Sequence, residues 1–154
     1  MIIITIHSSN TPQSDDLLIH CLYQATRVFS KSLNNAISNL GIYNSEWSVL
    51  KTVKEHEAVS QSKIASYLDI EPAAISKTLA KLEKKGSIRR CRLNNNKEKN
   101  ILLTDTALSV YPELAAAVEK HRNQALTGLS SADRQLLAGL LRKIYKNITE
   151  GDKG

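Results

Sequence analysis

A chain of 154 residues suits one compact domain, or one domain with appended dimerisation helices, and its 42% hydrophobic content argues against extended disorder. Only 5% of residues are aromatic, which argues against a single-strand binder built on rows of stacked bases. The net charge of +6 favours a polyanionic partner, and no run approaches the ~20 apolar residues of a membrane helix.

The N-terminal Ile2-Ile3-Ile4-Thr5-Ile6 is β-prone. It is too short for a signal-peptide core and lacks a basic start. It reads as a small edge strand or as a tail that docks on a neighbouring subunit. With no targeting segment, a cytoplasmic protein is expected. Residues 7–14 read as linker, so residues 1–14 form a tail. A helix is predicted from Ser14 or Asp15. Leu18, Cys21, Leu22, Ala25, Phe29, Leu33, Ala36, Ile37 and Leu40 recur at helical spacing, and Gly41 stops it. A stripe this long exceeds what a small lobe can cover, so part of it is expected to meet a second subunit. Residues 15–44 are therefore assigned as an N-terminal dimerisation helix.

Residues 45–104 read as a separate lobe. Ser45 is the expected cap of a second helix, with Trp47, Leu50 and Val53 inward. Ser60 is the expected cap of a third, with Ile64, Ala65 and Leu68 inward. Asp69-Ile70-Glu71-Pro72 makes a turn, with Pro72 at the first position of the next helix, where its missing N–H costs nothing. That fourth helix runs to Lys85 and stops at Gly86. A strand is predicted over 88–93, with Cys91 and Leu93 on one face and Arg90 and Arg92 on the other. Asn94-Asn95-Asn96 suits a tight turn, and a return strand ends in Ile101-Leu102-Leu103. Thr104 caps a fifth helix, which is expected to kink at Pro112 and end at Gly128. Ser130 to Asp133 resembles a capping box. The last helix carries Leu136, Leu137, Leu140, Leu141, Ile144 and Ile148 as its stripe. Residues 105–150 read as two C-terminal helices, and 151–154 as a frayed tail.

The fourth helix carries the functional signal. At 100° per residue, Ile75, Thr78, Leu79 and Leu82 share one face and are expected in the core. Ala73, Ala74 and Ser76 make the outward face small near the N-terminus, which lets a helix approach a major groove closely. Lys77 beside them can reach a guanine edge or a phosphate. Lys81 and Lys84 suit the flanking phosphates. A solvated lysine face on an ordinary surface helix would look the same. The basic hairpin that follows at once favours DNA: Lys77, Lys81, Lys84, Lys85, Arg89, Arg90, Arg92, Lys97 and Lys99 lie within 23 positions. Such a wing can lay Lys97 into a minor groove while Arg90 and Arg92 meet phosphates.

Residues from about 15 to 148 resemble winged helix-turn-helix transcriptional regulators of the multiple-antibiotic-resistance (MarR) type. The resemblance is carried by Ser60-Gln-Ser-Lys-Ile-Ala-Ser-Tyr-Leu, by Leu82-Glu-Lys-Lys-Gly86 and by Leu103-Thr104. It implies a mainly α fold with a small β-hairpin wing, and a helical dimerisation region built from the N- and C-terminal helices. It implies a homodimer on a pseudo-palindromic double-stranded DNA operator, acting as a repressor. The DNA-contact set is then Ser60, Gln61, Ser62, Ala73, Ala74, Ser76, Lys77, Lys81, Lys84, Arg90, Arg92, Asn95, Lys97 and Lys99. The dimer set is Leu18, Leu22, Leu137, Leu140, Leu141, Ile144 and Ile148. The family's Asp-x-Arg at the wing tip is replaced by Asn95 and Lys97. Lysine is more strongly hydrated than arginine, so binding should depend less on minor-groove shape than in the family at large.

Many members of that family answer to a small aromatic or anionic effector. The candidates for such a site are His20, Tyr23, Arg27 and Trp47, set against ordinary core packing for Tyr23 and Trp47 and an ion pair for Arg27. Cys21 lies in the first helix, where some relatives sense peroxide; a reduced structural thiol is the competing reading for it and for Cys91. His7, His20, His56 and His121 show no ligand spacing, no CxxC exists, and no metal or cofactor is expected. Neither GxSxG, a Gly-rich phosphate loop nor HExxH occurs, so no enzyme is expected. A winged helix serving as a protein-interaction module is the competing class.

Overall fold

A computed structural model describes residues 12–92 and 99–151. The Ile-rich N-terminus, Leu93, the Asn-rich wing tip with Asn95 and Lys97, and the last three residues lie outside the described residues. In chain order the elements are α1 (Pro12–Ile37), α2 (Asn44–His56), β1 (Val59–Ser60), α3 (Gln61–Leu68), α4 (Pro72–Lys84), β2 (Ile88–Cys91), β3 (Asn100–Leu103), α5 (Asp105–Ala125) and α6 (Ser131–Gly151). The chain divides into two compact units, up to His121 and from Arg122 onward.

In the first unit the fold is mainly helical with a small antiparallel sheet. Its order is β1-β3-β2, so β3 is central. Ile88 lies opposite Leu103 and Arg90 opposite Ile101, while Val59 of β1 lies opposite Ile101 on the other side. β1 has no counterpart among the elements expected from sequence. Two residues are too few to show an alternation; the strand exists because the approach to α3 runs beside β3. The core gathers Leu33 and Ile37 of α1, Trp47, Leu50 and Val53 of α2, and Ile64 of α3. Ile75, Leu79 and Leu82 of α4, Ile101 of β3, and Leu114 and Val118 of α5 complete it. Removing each such side chain from water contributes about 1.5–3 kcal/mol. Phe29 of α1 meets His121 of α5 edge to face, with centroids 4.8 Å apart.

Several local expectations shift. α1 starts at Pro12, inside the expected linker, because proline suits the first helical turn. It ends in a 3₁₀ turn over Ser38–Leu40 before Gly41. The second helix begins at Asn44 rather than after a Ser45 cap. Glu46 accepts the Tyr43 N–H at 3.0 Å, and Asn34 Oδ1 accepts the Asn44 N–H at 2.7 Å, so the exposed first amides already have partners. Ser60 does cap α3, accepting the Lys63 N–H. Thr78 is half-buried rather than core, and its hydroxyl donates to Ala74 O. β2 stops at Cys91. α5 holds Pro112 inside it and stops at Ala125, three residues before Gly128.

In the second unit, Ser130 and Asp133 form the reciprocal cap. Ser130 N–H donates to Asp133 Oδ2 at 2.9 Å and Asp133 N–H donates to Ser130 Oγ at 3.1 Å. The Ser130 hydroxyl, then its backbone N–H, hold the Asp133 carboxyl below its ordinary range. Arg134 closes the turn by donating to Leu129 O and Leu126 O. No residue of α6 is buried, and Leu136, Leu137, Leu140, Leu141, Tyr145 and Ile148 are all exposed.

Thr104 joins β3, α4 and α5 through one hydroxyl. It accepts the Ala107 N–H at 3.2 Å, capping α5, and donates to Gly86 O at 2.6 Å. Thr104→Val keeps the shape and loses both bonds. It should lower the unfolding free energy by about 1–2 kcal/mol, measured by urea denaturation at constant m-value. An unchanged midpoint would show that the hydroxyl holds neither element.

Candidate nucleic-acid interface

α3 and α4 are joined by a tight turn in which Asp69 takes a left-handed conformation at φ 53° and Pro72 opens α4. The Ile70 N–H returns to Ala65 O at 3.0 Å, and the Ala74 and Ile75 N–H groups both meet Glu71 O. These bonds fix the angle between the two helices. α4 then lays Ile75, Leu79 and Leu82 against the core. Its other face holds Ala73, Ala74, Ser76, Lys77, Ala80, Lys81 and Lys84, all exposed. Ala73, Ala74 and Ser76 lie in its first turns and project little beyond the backbone.

The basic residues fall into two groups. Among the described residues, the ion pairs are Lys51–Glu55, Lys85–Glu46, Arg90–Glu83 and Lys146–Glu150. Lys77, Lys81, Lys84, Arg89, Arg92 and Lys99 are in none of them, and all six are exposed. Arg90 is different. It lies on the same face of β2 as buried Ile88 and is half-buried. Its Nε donates to Glu83 Oε2 at 3.2 Å and its Nη1 to Gln61 Oε1 at 3.4 Å. The guanidinium thus ties the wing to the end of α4 and the start of α3. Arg89, opposite Leu102 on the other face, is exposed, a placement absent from the sequence-based contact set. The missed signal was Ile88: a buried residue two positions earlier puts Arg90, not Arg89, on the inner face.

The start of α3 is also partly committed. Ser60 is buried as a cap, and its hydroxyl lies 3.0 Å from that of Ser62. Gln61 is half-buried against Arg90, while Ser62 is exposed. A groove of about 580 Å³ runs beside the turn, lined by Gln61, Ser62, Ser66, Asp69 and Glu71 among others.

Of the residues proposed for an effector, three share α1 and the fourth, Trp47, lies in α2. His20, Tyr23 and Arg27 are exposed on α1, with the Arg27 guanidinium 5.9 Å from the Tyr23 ring centroid. Trp47 is a buried core ring, tilted 33° to the Tyr111 ring with centroids 5.2 Å apart. Cys21 and Cys91 are half-buried and form no disulfide. Among the described residues, no group of three or more His, Cys, Asp or Glu side chains is placed to hold a metal ion. No helix among them is long and apolar enough to cross a membrane.

The dimer candidates are open in the single chain. Leu18 on α1 is exposed and Leu22 half-buried; on α6, Leu137, Leu140, Leu141 and Ile148 are exposed and Ile144 half-buried.

Comparison with known proteins agrees with this geometry. The MarR family profile matches residues 42–99, which run from just ahead of α2 to the residue before β3. An uncharacterized HTH-type transcriptional regulator of Bacillus subtilis, YwoH, is 30% identical over 125 residues, covering 81% of this chain and 91% of YwoH. A mutant MarR from E. coli, solved in complex with operator DNA, superposes with a TM-score of 0.79 at 19% identity, over 88% of this chain and 99% of that one. A MarR-family regulator from Listeria monocytogenes, solved with a 26mer DNA, gives 0.78 at 24% identity, over 86% and 89% of the two chains. The chain belongs to the MarR family of helix-turn-helix regulators, and is a DNA-binding transcriptional regulator rather than an enzyme.

Proposed function

We propose that two copies of this chain bind one pseudo-palindromic duplex operator in the cytoplasm and repress transcription by occupying it. The observation that carries the reading is the outer face of α4. Small residues at its front, Ala73, Ala74 and Ser76, leave room for close approach to base edges, and Lys77 stands beside them. Lys81 and Lys84 farther along the same helix suit the phosphates that border the groove. Two proteins of the same fold were solved with DNA bound, which supports this use of the face.

On the wing, we assign phosphate contacts to Arg89, Arg92 and Lys99, whose charges are in no ion pair among the described residues. Arg90 and Gln61 serve to hold the wing against α3 and α4. Asn95 and Lys97 keep their assignment to the minor groove on the sequence pattern alone. The second copy follows from the apolar faces. Leu18 on α1, and Leu136, Leu140 and Ile148 on α6, are each at least half exposed in the single chain. Apolar rows of this length favour a protein partner over water. A two-fold pair places its recognition helices on half-sites one helical turn apart.

Selection of bound sites from random duplex DNA tests the pair. Two inverted half-sites about 10 base pairs apart, centre to centre, are expected. Enrichment of a lone half-site would contradict it. The two arginines separate in a salt titration on the selected site. Arg89→Gln should reduce the slope of log K against log salt by about 0.9, the value for one phosphate contact. Arg90→Gln should weaken binding and leave the slope unchanged. The reverse pattern would show that Arg90 leaves Glu83 to meet the backbone.

A further inference from the structure

One lysine of the basic run points inward. Lys85 sits at the C-terminal cap of α4, directly after Lys84. Its Nζ donates to Glu46 Oε1 and Oε2, both at 2.7 Å, and to Gly41 O at 2.8 Å. An ammonium group has three protons, so these three acceptors can use all of them. The Tyr43 ring lies 5.4 Å from the same nitrogen. The lysine side chain is 35% exposed, whereas the Glu46 side chain is only 3% exposed. A carboxylate that deep needs a cation and hydrogen bonds, and it receives both from Lys85 and the Tyr43 N–H.

The three acceptors belong to different parts of the fold. Gly41, at φ 74°, ends the segment that leaves α1. Glu46 lies in the first turn of α2. The start of α2 is itself tied to α1, because the Asn44 N–H donates to Asn34 Oδ1 at 2.7 Å and Asn44 Nδ2 donates to Ser30 Oγ at 3.0 Å. Buried Leu33 and Ile37 hold the same stretch of α1 in the core. An unbroken path of short polar contacts therefore runs from α1, through the start of α2, to the end of α4.

We propose that Lys85 is a positioning residue: its latch on Glu46 and Gly41 sets the angle of the recognition helix relative to α1, and so sets the half-site spacing that the pair accepts. The proposal rests on the two-copy reading above, in which α1 belongs to the shared region. It separates Lys85 from Lys81 and Lys84, which keep their donors for phosphate. Loss of the latch leaves the DNA-facing residues in place but lets α4 swing.

The test is binding to the selected operator and to versions with one or two base pairs added to or removed from the spacer. Lys85→Met is compared with the wild type. Because that change leaves a bare buried carboxylate, the double variant Lys85→Met, Glu46→Gln is measured as well; it removes both charges and keeps an acceptor for Tyr43. The wild type should prefer one spacing by about tenfold or more, in the range of ordinary coupling between sites. The double variant should flatten that preference to about threefold or less, with its salt slope unchanged. A double variant that keeps the wild-type preference overturns the latch, as does a slope reduced by about 0.9, which marks Lys85 as a phosphate contact. A wild type indifferent to spacing overturns the two-copy reading itself, and the latch with it.

Discussion

Ile75, Leu79 and Leu82 are withdrawn from water on one face of α4, and that burial decides what the helix can show on its other face. A helix has one rotation about its axis. Once those three side chains are in the core, Ala73, Ser76, Lys77, Ala80, Lys81 and Lys84 must look outward. Truncating one of the three to alanine would cost about 2–5 kcal/mol, comparable with much of the stability of a small domain. The outward face is thus held by packing on the opposite side of the helix. Axial position and tilt are held at the ends: Pro72 and the Asp69 turn at the front, Lys85, Gly86 and Thr104 at the back.

Charge on this surface is divided by partner rather than by residue type. Lys84 and Lys85 are adjacent in sequence, yet one faces solvent and the other is spent on Glu46 and Gly41. Arg89 and Arg90 divide the same way on β2, because successive residues of a strand point to opposite faces. A count of basic residues therefore overstates the charge available to a phosphate backbone. Exposed pairs such as Lys146–Glu150 contribute little. The pairs that matter join separate elements: Lys85–Glu46 and Arg90–Glu83 each tie the helix-turn-helix to something outside it.

Helix placement was legible in the sequence because apolar residues recur at helical spacing and the stops are chemical. Ser60, Pro72, Gly86, Thr104 and the Ser130–Asp133 pair do what their side chains suggest. The core of the lobe followed, apart from Thr78, whose hydroxyl can turn back to Ala74 O and needs no burial. What stayed hidden depends on residues distant in sequence. Glu46 and Lys85 are 39 positions apart, and Gln61 and Arg90 are 29 apart. Neither separation leaves a local pattern. β1 was hidden for the same reason, since its partner Ile101 lies far along the chain. For the candidate effector residues, burial was not legible from their types: Trp47 is in the core, and His20, Tyr23 and Arg27 are exposed on α1.

In the proposed complex the outward face of α4 enters the major groove twice on one operator. Hydroxyl-radical footprinting of the protein on its selected site addresses this directly. Two protected windows are expected on one face of the duplex, about one helical turn apart and symmetric about the centre of the site. Replacing Lys77, Lys81 and Lys84 together with glutamine should erase both. A single window, or protection that survives the triple change, would contradict it.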